Sequence, residues 1–304
     1  MARTRVVFYI EPEWAYGVIH YDLVRLLYQH GVIASLLPWN RAYHVQEITD
    51  LVDVVDAVVT VPHGLEGLIR NFNVPVSKCI VMCHSIHDLE LYIGLGSAIT
   101  DQIADYAVVS EFLKQQSIIL GITRIPKVTV LGIMTESFRA EPAKQLRVLG
   151  YAGAWSDERG SSAIKRTQLI RQVCEIVKLE LKVAAVYHNS FVTMQGFYKT
   201  VDCVLIASAY EGAGLPCLEA AASGRLVIST PVGHWERVSP NGAVEVPVDE
   251  QQYVDRTVQA IAFYQNNPVE YRNRCYQILQ HAEQYDWRYH INDWVNLFKG
   301  TRNE

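Results

Sequence analysis

No run of 18 apolar residues occurs in the 304-residue chain, so no membrane-spanning helix is expected. The amino-terminal segment has no secretory apolar core and enters an apolar strand near Val6, which points to a cytoplasmic protein. An excess of positive charge is missing too: 27 Lys and Arg stand against 32 Asp and Glu, for a net charge of −5. That balance argues against a broad nucleic-acid surface and leaves only a local basic patch open. The six cysteines, Cys79, Cys83, Cys174, Cys203, Cys217 and Cys275, form no C-x2-C pair. Most lie in apolar runs and read as buried free thiols of a reducing compartment. The alternative is a zinc site at Cys79, Cys83, His84 and His87. Repeats and low-complexity segments are absent, and no Ser-His-Asp or Cys-His arrangement has a supporting motif.

What the chain does have is a steady alternation of short apolar runs and amphipathic stretches. Half of its residues are hydrophobic and 19% are charged, the balance of an ordinary soluble protein. The length suffices for two cores of about 150 residues each. Strands are expected at Arg5–Ile10, Val32–Leu37, Ala57–Val61, Lys78–Cys83, Tyr106–Val109 and Val128–Val130. Helices are expected at Val18–His30, His44–Val52, His63–Phe72, Ala98–Asp105 and Glu111–Leu120, with Glu11–Gly17 as a loop. Continuous apolar strands such as Lys78–Cys83 suit a parallel sheet covered on both faces. The pattern pauses over Gly132–Leu146 and restarts with strands at Arg147–Ala152, Leu181–Val186, Cys203–Ala207 and Ala243–Val246. Helices are expected there at Ile164–Leu179, Phe191–Thr200, Glu250–Asn266, Val269–Tyr285 and Trp287–Phe298. Strands separated by helices imply an α/β chain with two doubly wound sheets. The expected domains are 1–140 and 141–286, followed by a terminal helix over 287–304.

The densest signal is Ser208–Gly224, S-A-Y-E-G-A-G-L-P-C-L-E-A-A-A-S-G, flanked by apolar runs at Val204–Ala207 and Leu226–Ser229. It reads as strand, glycine-bearing loop, small-residue helix, strand. Pro216 suits the first helical position, where a missing N–H costs nothing. Gly212 and Gly214 let backbone pass close to a ligand. The amides of Gly214, Leu215 and Cys217 are expected to point out of the helix N-terminus, which favours an anion such as a phosphate. Glu211 and Glu219 lie eight positions apart. A carboxylate beside a diphosphate is repelled, so each is expected to accept from hydroxyls on either side of it, one on a ribose and the other on a hexose. The plain alternative is a capping acid at Glu219 and an ordinary loop acid at Glu211.

The string E-G-A-G-L-P-C-L-E-A-A-A-S-G resembles the E-x7-E signature of family 4 retaining glycosyltransferases. Val227–Gly233 and Glu236 resemble the strand and glycine-rich turn that follow it in that family. The resemblance implies the GT-B fold: α/β, with two doubly wound Rossmann-like domains facing across a cleft and a terminal helix that crosses back to the first. Tyr285-Asp-Trp-Arg resembles the start of that helix. It further implies that Glu211 contacts the transferred sugar, that Glu219 contacts the ribose, and that Gly212, Ala213, Gly214, Leu215 and Pro216 line the donor. A cation beside the diphosphate is implied as well. Lys165 is the first candidate and Arg159 the second, while Ala154 stands where relatives often carry Arg. His84 is expected near the reacting carbon with His87 in reserve, and Tyr16, Gly17 and His87 on the acceptor side.

Two departures bear on this reading. Met134 stands where the family commonly has Asp, and no D-x-D triad exists, since two residues separate Asp53 from Asp56. The missing triad argues against a metal-dependent transferase. Helix amides and a lysine are expected to neutralise the diphosphate with no metal and no cofactor beyond the nucleoside-diphosphate sugar, UDP- or GDP-linked first. The acceptor stays open among a glycan, a lipid-linked sugar, a small metabolite and a nucleic-acid base, as does the oligomeric state. The rival readings are a sugar-nucleotide epimerase or phosphorylase on the same fold, and a non-catalytic sugar-nucleotide-binding protein.

Overall fold

The computed structural model describes residues 3–11, 14–155, 162–185 and 191–299. It divides into two compact units, Met1–Gly132 with Arg288–Glu304, and Ile133–Trp287.

Unit 1 runs β1 (Thr4–Ile10), α1 (Trp14–Gln29), β2 (Val32–Pro38), α2 (Val45–Val54), β3 (Ala57–Thr60) and α3 (Pro62–Phe72). It continues with β4 (Cys79–Cys83), α4 (Ile86–Gly94), α5 (Ser97–Thr100), β5 (Asp105–Val108), α6 (Glu111–Ile119) and β6 (Lys127–Val128). All six strands are parallel, in the order β2-β1-β3-β4-β5-β6. The central strands β3 and β4 are buried along their whole length, because helices cover both faces and leave no place for a polar alternation. Sheet order reverses direction at β1, whose neighbours are β2 on one side and β3 on the other.

Three local expectations change here. The helix expected from Val18 begins at Trp14, so Tyr16 and Gly17 belong to a helix and not to a βα loop. Their side chains lie outside the described part of the structure. A helix not foreseen, α4, follows β4 directly. Ser85 caps it, its Oγ accepting from the Asp88 amide at 3.1 Å, and the Ser-x-x-Asp spacing is the signal for such a start. The helix expected over Ala98–Asp105 shrinks to the four residues of α5, and Asp105 opens the next strand.

Unit 2 runs α7 (Thr135–Phe138), β7 (Val148–Gly153), α8 (Ser162–Lys165), α9 (Thr167–Val177), β8 (Glu180–Ala185), α10 (Phe191–Lys199) and β9 (Cys203–Ile206). Then come α11 (Leu215–Ala222), β10 (Leu226–Ser229), α12 (Trp235–Val238), β11 (Val244–Glu245), α13 (Glu250–Asn266) and α14 (Pro268–His281). The five strands are parallel in the order β11-β10-β9-β7-β8, and the order reverses at β7. The long helix expected over Ile164–Leu179 is interrupted at Arg166, whose φ of 47° is left-handed. The buried guanidinium explains the interruption. Its Nε donates to the Ala207 carbonyl at 2.6 Å and its Nη1 to the Val248 carbonyl at 2.5 Å, so the residue turns inward where a helix would point it elsewhere.

The chain enters unit 2 at Ile133 and leaves it at Trp287, side by side. The Ile133 amide donates to the Tyr285 carbonyl at 2.9 Å, and the Trp287 amide to the Ile133 carbonyl at 3.2 Å. Asp286 secures the junction, accepting on one oxygen from the Thr135 hydroxyl at 2.7 Å and the Thr135 amide at 3.2 Å. The final helix, α15 (Ile291–Lys299), belongs to unit 1, where Trp294 and Phe298 pack against Phe8 of β1 at ring separations of 6.4 and 6.1 Å. Among the described residues no helix is long and apolar enough to cross a membrane. All six cysteines are free, five of them buried and Cys174 half-buried.

Candidate functional site

In unit 2 the reversal of strand order at β7 opens a crevice at the carboxyl ends of β7 and β9, the place where open α/β sheets hold ligands. The loop leaving β9 there is fastened from below. Arg166 binds the Ala207 carbonyl, and the Thr230 hydroxyl donates to the Ser208 carbonyl at 2.7 Å. Ser208 itself is buried, and its Oγ donates to Glu211 Oε1 at 2.6 Å. The same oxygen receives Lys165 Nζ at 2.5 Å across 46 residues of sequence. The break at Arg166 makes this meeting possible, since it ends α8 at Lys165 beside the crevice before α9 turns away. Both charged side chains keep partial exposure, 25% for Lys165 and 16% for Glu211, so the pair stands at the rim with access to solvent.

Gly212, Ala213, Gly214, Leu215 and Pro216 carry the chain from Glu211 into α11. Gly214 caps the helix at a left-handed φ of 66°, a conformation that glycine adopts without strain. A second glycine holds the loop from the other side. Gly233, at φ 63°, lies so close that a Cβ there would meet the Ala213 carbonyl oxygen at 2.5 Å, and the next amide, of His234, donates to that oxygen at 2.8 Å. Residues 213 to 216 are half-exposed, so the positive end of α11 is open. Two details differ from the sequence reading. The helix begins at Leu215, which makes Pro216 its second residue, and the Cys217 amide is not presented outward because it bonds to the Gly214 carbonyl at 3.0 Å.

Glu219 is the more deeply buried of the two acids. It is 4% exposed, and its Oε2 accepts from the Tyr198 hydroxyl at 2.7 Å. Burial pushes its carboxyl up to about 7, and the Tyr198 bond opposes that only in part. Tyr198 is fully buried and edge-on to Phe138 at 5.9 Å. Arg159 lies outside the described residues. Ala154, where a second cation was missing, is buried and offers its carbonyl to the Tyr151 hydroxyl at 2.7 Å.

The remaining expected residues belong to unit 1. His84 follows β4 and is 8% exposed; its amide donates to Asp88 Oδ2 at 2.8 Å and its ring lies 5.5 Å from that of His20. Burial holds the imidazole well below its usual range, with the neighbouring His20 adding to the effect, so His84 is neutral. His87, on α4, is exposed and 3.5 Å from Glu90. Among the described residues no cluster of three or more histidines, cysteines or acids is placed to hold a metal ion.

Ser208 and Arg166 are the site residues that sequence reasoning missed. Ser208 stood three positions before Glu211 in the motif and was open to notice. Arg166 carried no local signal, because the helical spacing runs through it unbroken.

Residues 143–263 match the family model described as glycosyl transferases group 1, less than half of the chain but nearly all of the β7–β11 sheet and its helices. Compared with curated proteins, the sequence has no significant match. Solved structures similar to this one include sucrose-phosphate synthase from Thermosynechococcus elongatus, at 12% identity, 98% coverage of each chain and a TM-score of 0.70. The Anabaena protein HepE, solved with UDP-glucose, is 13% identical over 99% of this chain and 100% of the other, with a TM-score of 0.69. The catalytic domain of Arabidopsis thaliana starch synthase IV, bound to ADP and acarbose, is 9% identical over 98% of this chain and 99% of the other, with a TM-score of 0.72. At such identities the likeness is one of fold: the two parallel sheets, of six and five strands, are those of the GT-B architecture.

Proposed function

We propose that the protein is a retaining, metal-independent glycosyltransferase that moves a hexose from a nucleoside-diphosphate sugar, UDP- or GDP-linked first, to a hydroxyl acceptor. The observation that carries this reading is the convergence of Lys165, Glu211 and Ser208 on the open N-terminus of α11, at the strand reversal of unit 2. The group 1 family match over this unit supports it. Similar folds solved with UDP-glucose and with ADP support a nucleotide-linked donor.

The parts divide the chemistry by charge. Amides at the start of α11 and the Lys165 ammonium face the diphosphate, whose negative charge grows as it leaves. Donor binding exchanges the Lys165–Glu211 pair for two better-matched contacts, lysine to phosphate and glutamate to a sugar hydroxyl. In the transfer the acceptor oxygen bonds to the anomeric carbon. The bond from that carbon to the diphosphate breaks, the diphosphate keeps the electron pair, and the acceptor's proton passes to the diphosphate or to solvent. Glu219 takes the ribose hydroxyls, with Tyr198 holding its other side. His84, neutral and at the end of β4, is assigned to the reacting sugar, and Tyr16, Gly17 and His87 to the acceptor.

A thermal-shift panel of UDP-, GDP-, ADP- and dTDP-sugars identifies the donor, because a ligand held only by the folded chain raises its stability by mass action. With that donor, Glu211→Ala is expected to cut turnover by about 10²-fold or more while the melting temperature stays within the usual range for a rim residue. Unchanged turnover removes Glu211 from this role. Donor binding with no transfer to any acceptor favours a non-catalytic sugar-nucleotide-binding protein, and conversion of donor alone favours an epimerase.

A further inference from the structure

Unit 1 contains a cavity of its own, of about 440 Å³, within the roughly 300–1,000 Å³ typical of small-molecule sites. It lies where strand order reverses in that sheet: Ile10 ends β1, Trp39 follows β2, Val61 follows β3 and Ser85 follows β4, and all four line it. This is the crevice position for unit 1, as the α11 site is for unit 2.

The lining has a definite chemistry. Trp39 is only half-buried, yet it is held in place. Its ring meets Tyr9 edge-on at 6.1 Å and His63 at 5.9 Å. Gly64 provides its seat, since a Cβ there would come within 2.9 Å of the indole ring and 2.1 Å of Thr60 Oγ1. Ile10, Val61 and Leu91 add apolar wall. Against these stand Asp88, which is buried and fixed by the His84 amide, and Glu11, both acceptors. His63 and His87 complete the polar side, and no lysine or arginine occurs among the described lining residues.

We infer that this cavity binds a neutral pyranose, with Trp39 as the platform for the ring's apolar face and Glu11 and Asp88 accepting from its hydroxyls. The C–H edge of a sugar ring is weakly positive and suits the negative face of an aromatic ring. Its vicinal hydroxyls donate to carboxylates. Two carboxylates, with no lysine or arginine among the described lining residues, disfavour a phosphate or a carboxylate on the ligand, so a phosphorylated sugar is the wrong occupant. Calling this pyranose the acceptor rests on the transferase reading; its binding to unit 1 does not.

The test is saturation-transfer NMR on the full-length protein without nucleotide, using methyl glucoside, methyl galactoside, methyl mannoside, N-acetylglucosamine, maltose and cellobiose, with glucose 6-phosphate as the charged counterpart. At least one neutral sugar is expected to receive saturation on its ring protons and to bind about tenfold or more tightly than glucose 6-phosphate. Trp39→Ala is expected to weaken it at least about tenfold. Leu91→Trp, which narrows the cavity from its half-exposed rim, is expected to do the same with the circular dichroism spectrum unchanged. Equal or tighter binding of the phosphate overturns the inference. So does retention of sugar binding in a folded Leu91→Trp variant, or silence from every neutral sugar at tens of millimolar. Failure of donor binding in the thermal-shift panel with sugar binding intact would count against the transferase reading alone.

Discussion

At the scale of single residues, Glu219 has the most unusual environment in the site. It is an acid enclosed in protein with a tyrosine hydroxyl for a neighbour. Its carboxyl is raised from 4.5 to about 7 by desolvation. Between those two values the folded chain holds a proton that the unfolded chain has already released, so Glu219 lowers stability as pH rises through that window. The full effect is at most roughly 3 kcal/mol. Glu219→Gln keeps an acceptor for Tyr198 and cannot ionise. Urea melts of the two proteins are expected to converge at pH 5 and to separate in favour of the glutamine variant by pH 8. A difference that stays flat from pH 5 to 8 shows that the carboxyl titrates normally. His84 contributes with the opposite sense, since burial holds its imidazole neutral in the folded chain while the unfolded chain takes up a proton as pH falls through the usual imidazole range. The comparison at position 219 isolates one group from the other.

At the scale of elements, the site depends on two loops that interlock, the one entering α11 and the one leaving β10. Gly233 is the point of closest approach, with no room for a Cβ and a left-handed φ. Gly233→Ala is expected to destabilise unit 2 by about 1–3 kcal/mol, from backbone strain and displacement of the Ala213 carbonyl. It should weaken donor binding as well, because Ala213 and Gly214 set the start of α11. A variant with unchanged melting temperature and unchanged donor affinity would show that the loops are not coupled. The elements also show where local pattern stops informing. The apolar runs of β3, β4 and β9 were legible because burial on both faces leaves an unmistakable stretch of hydrophobic residues. The break between α8 and α9 was not, because it is set by the Ala207 and Val248 carbonyls, 41 and 82 residues further along the chain. The start of α4 was legible in principle from Ser85 and Asp88.

At the scale of the whole molecule, the chain leaves unit 1 at Gly132 and comes back after Trp287 to supply α15. Trp294 and Phe298 are fully buried, and Trp294 Nε1 donates to the Val130 carbonyl at 3.2 Å. Unit 1 is therefore not complete without α15, which follows the whole of unit 2 in the chain. Ending the chain after Trp287 is expected to remove several kcal/mol from unit 1, since loss of even one buried aromatic costs about 3–5 kcal/mol. Limited proteolysis is expected to cut the truncated protein first between Thr4 and Gly132, with unit 2 persisting. Equal protease resistance with and without α15 would rule this out.

By itself, the amino-acid sequence determined the alternation of strands and helices, the two parallel sheets, and the glycine and proline positions around α11. These follow from burial patterns and backbone preferences that act over a few residues. Only the tertiary structure decided which charges meet. Lys165 and Glu211 are 46 positions apart and meet beside the strand reversal at β7, where Arg166 redirects a helix, while Tyr198 and Glu219, 21 apart, meet from two different helices, α10 and α11. Side-chain direction at such places depends on long-range packing, which leaves no periodic trace along the chain.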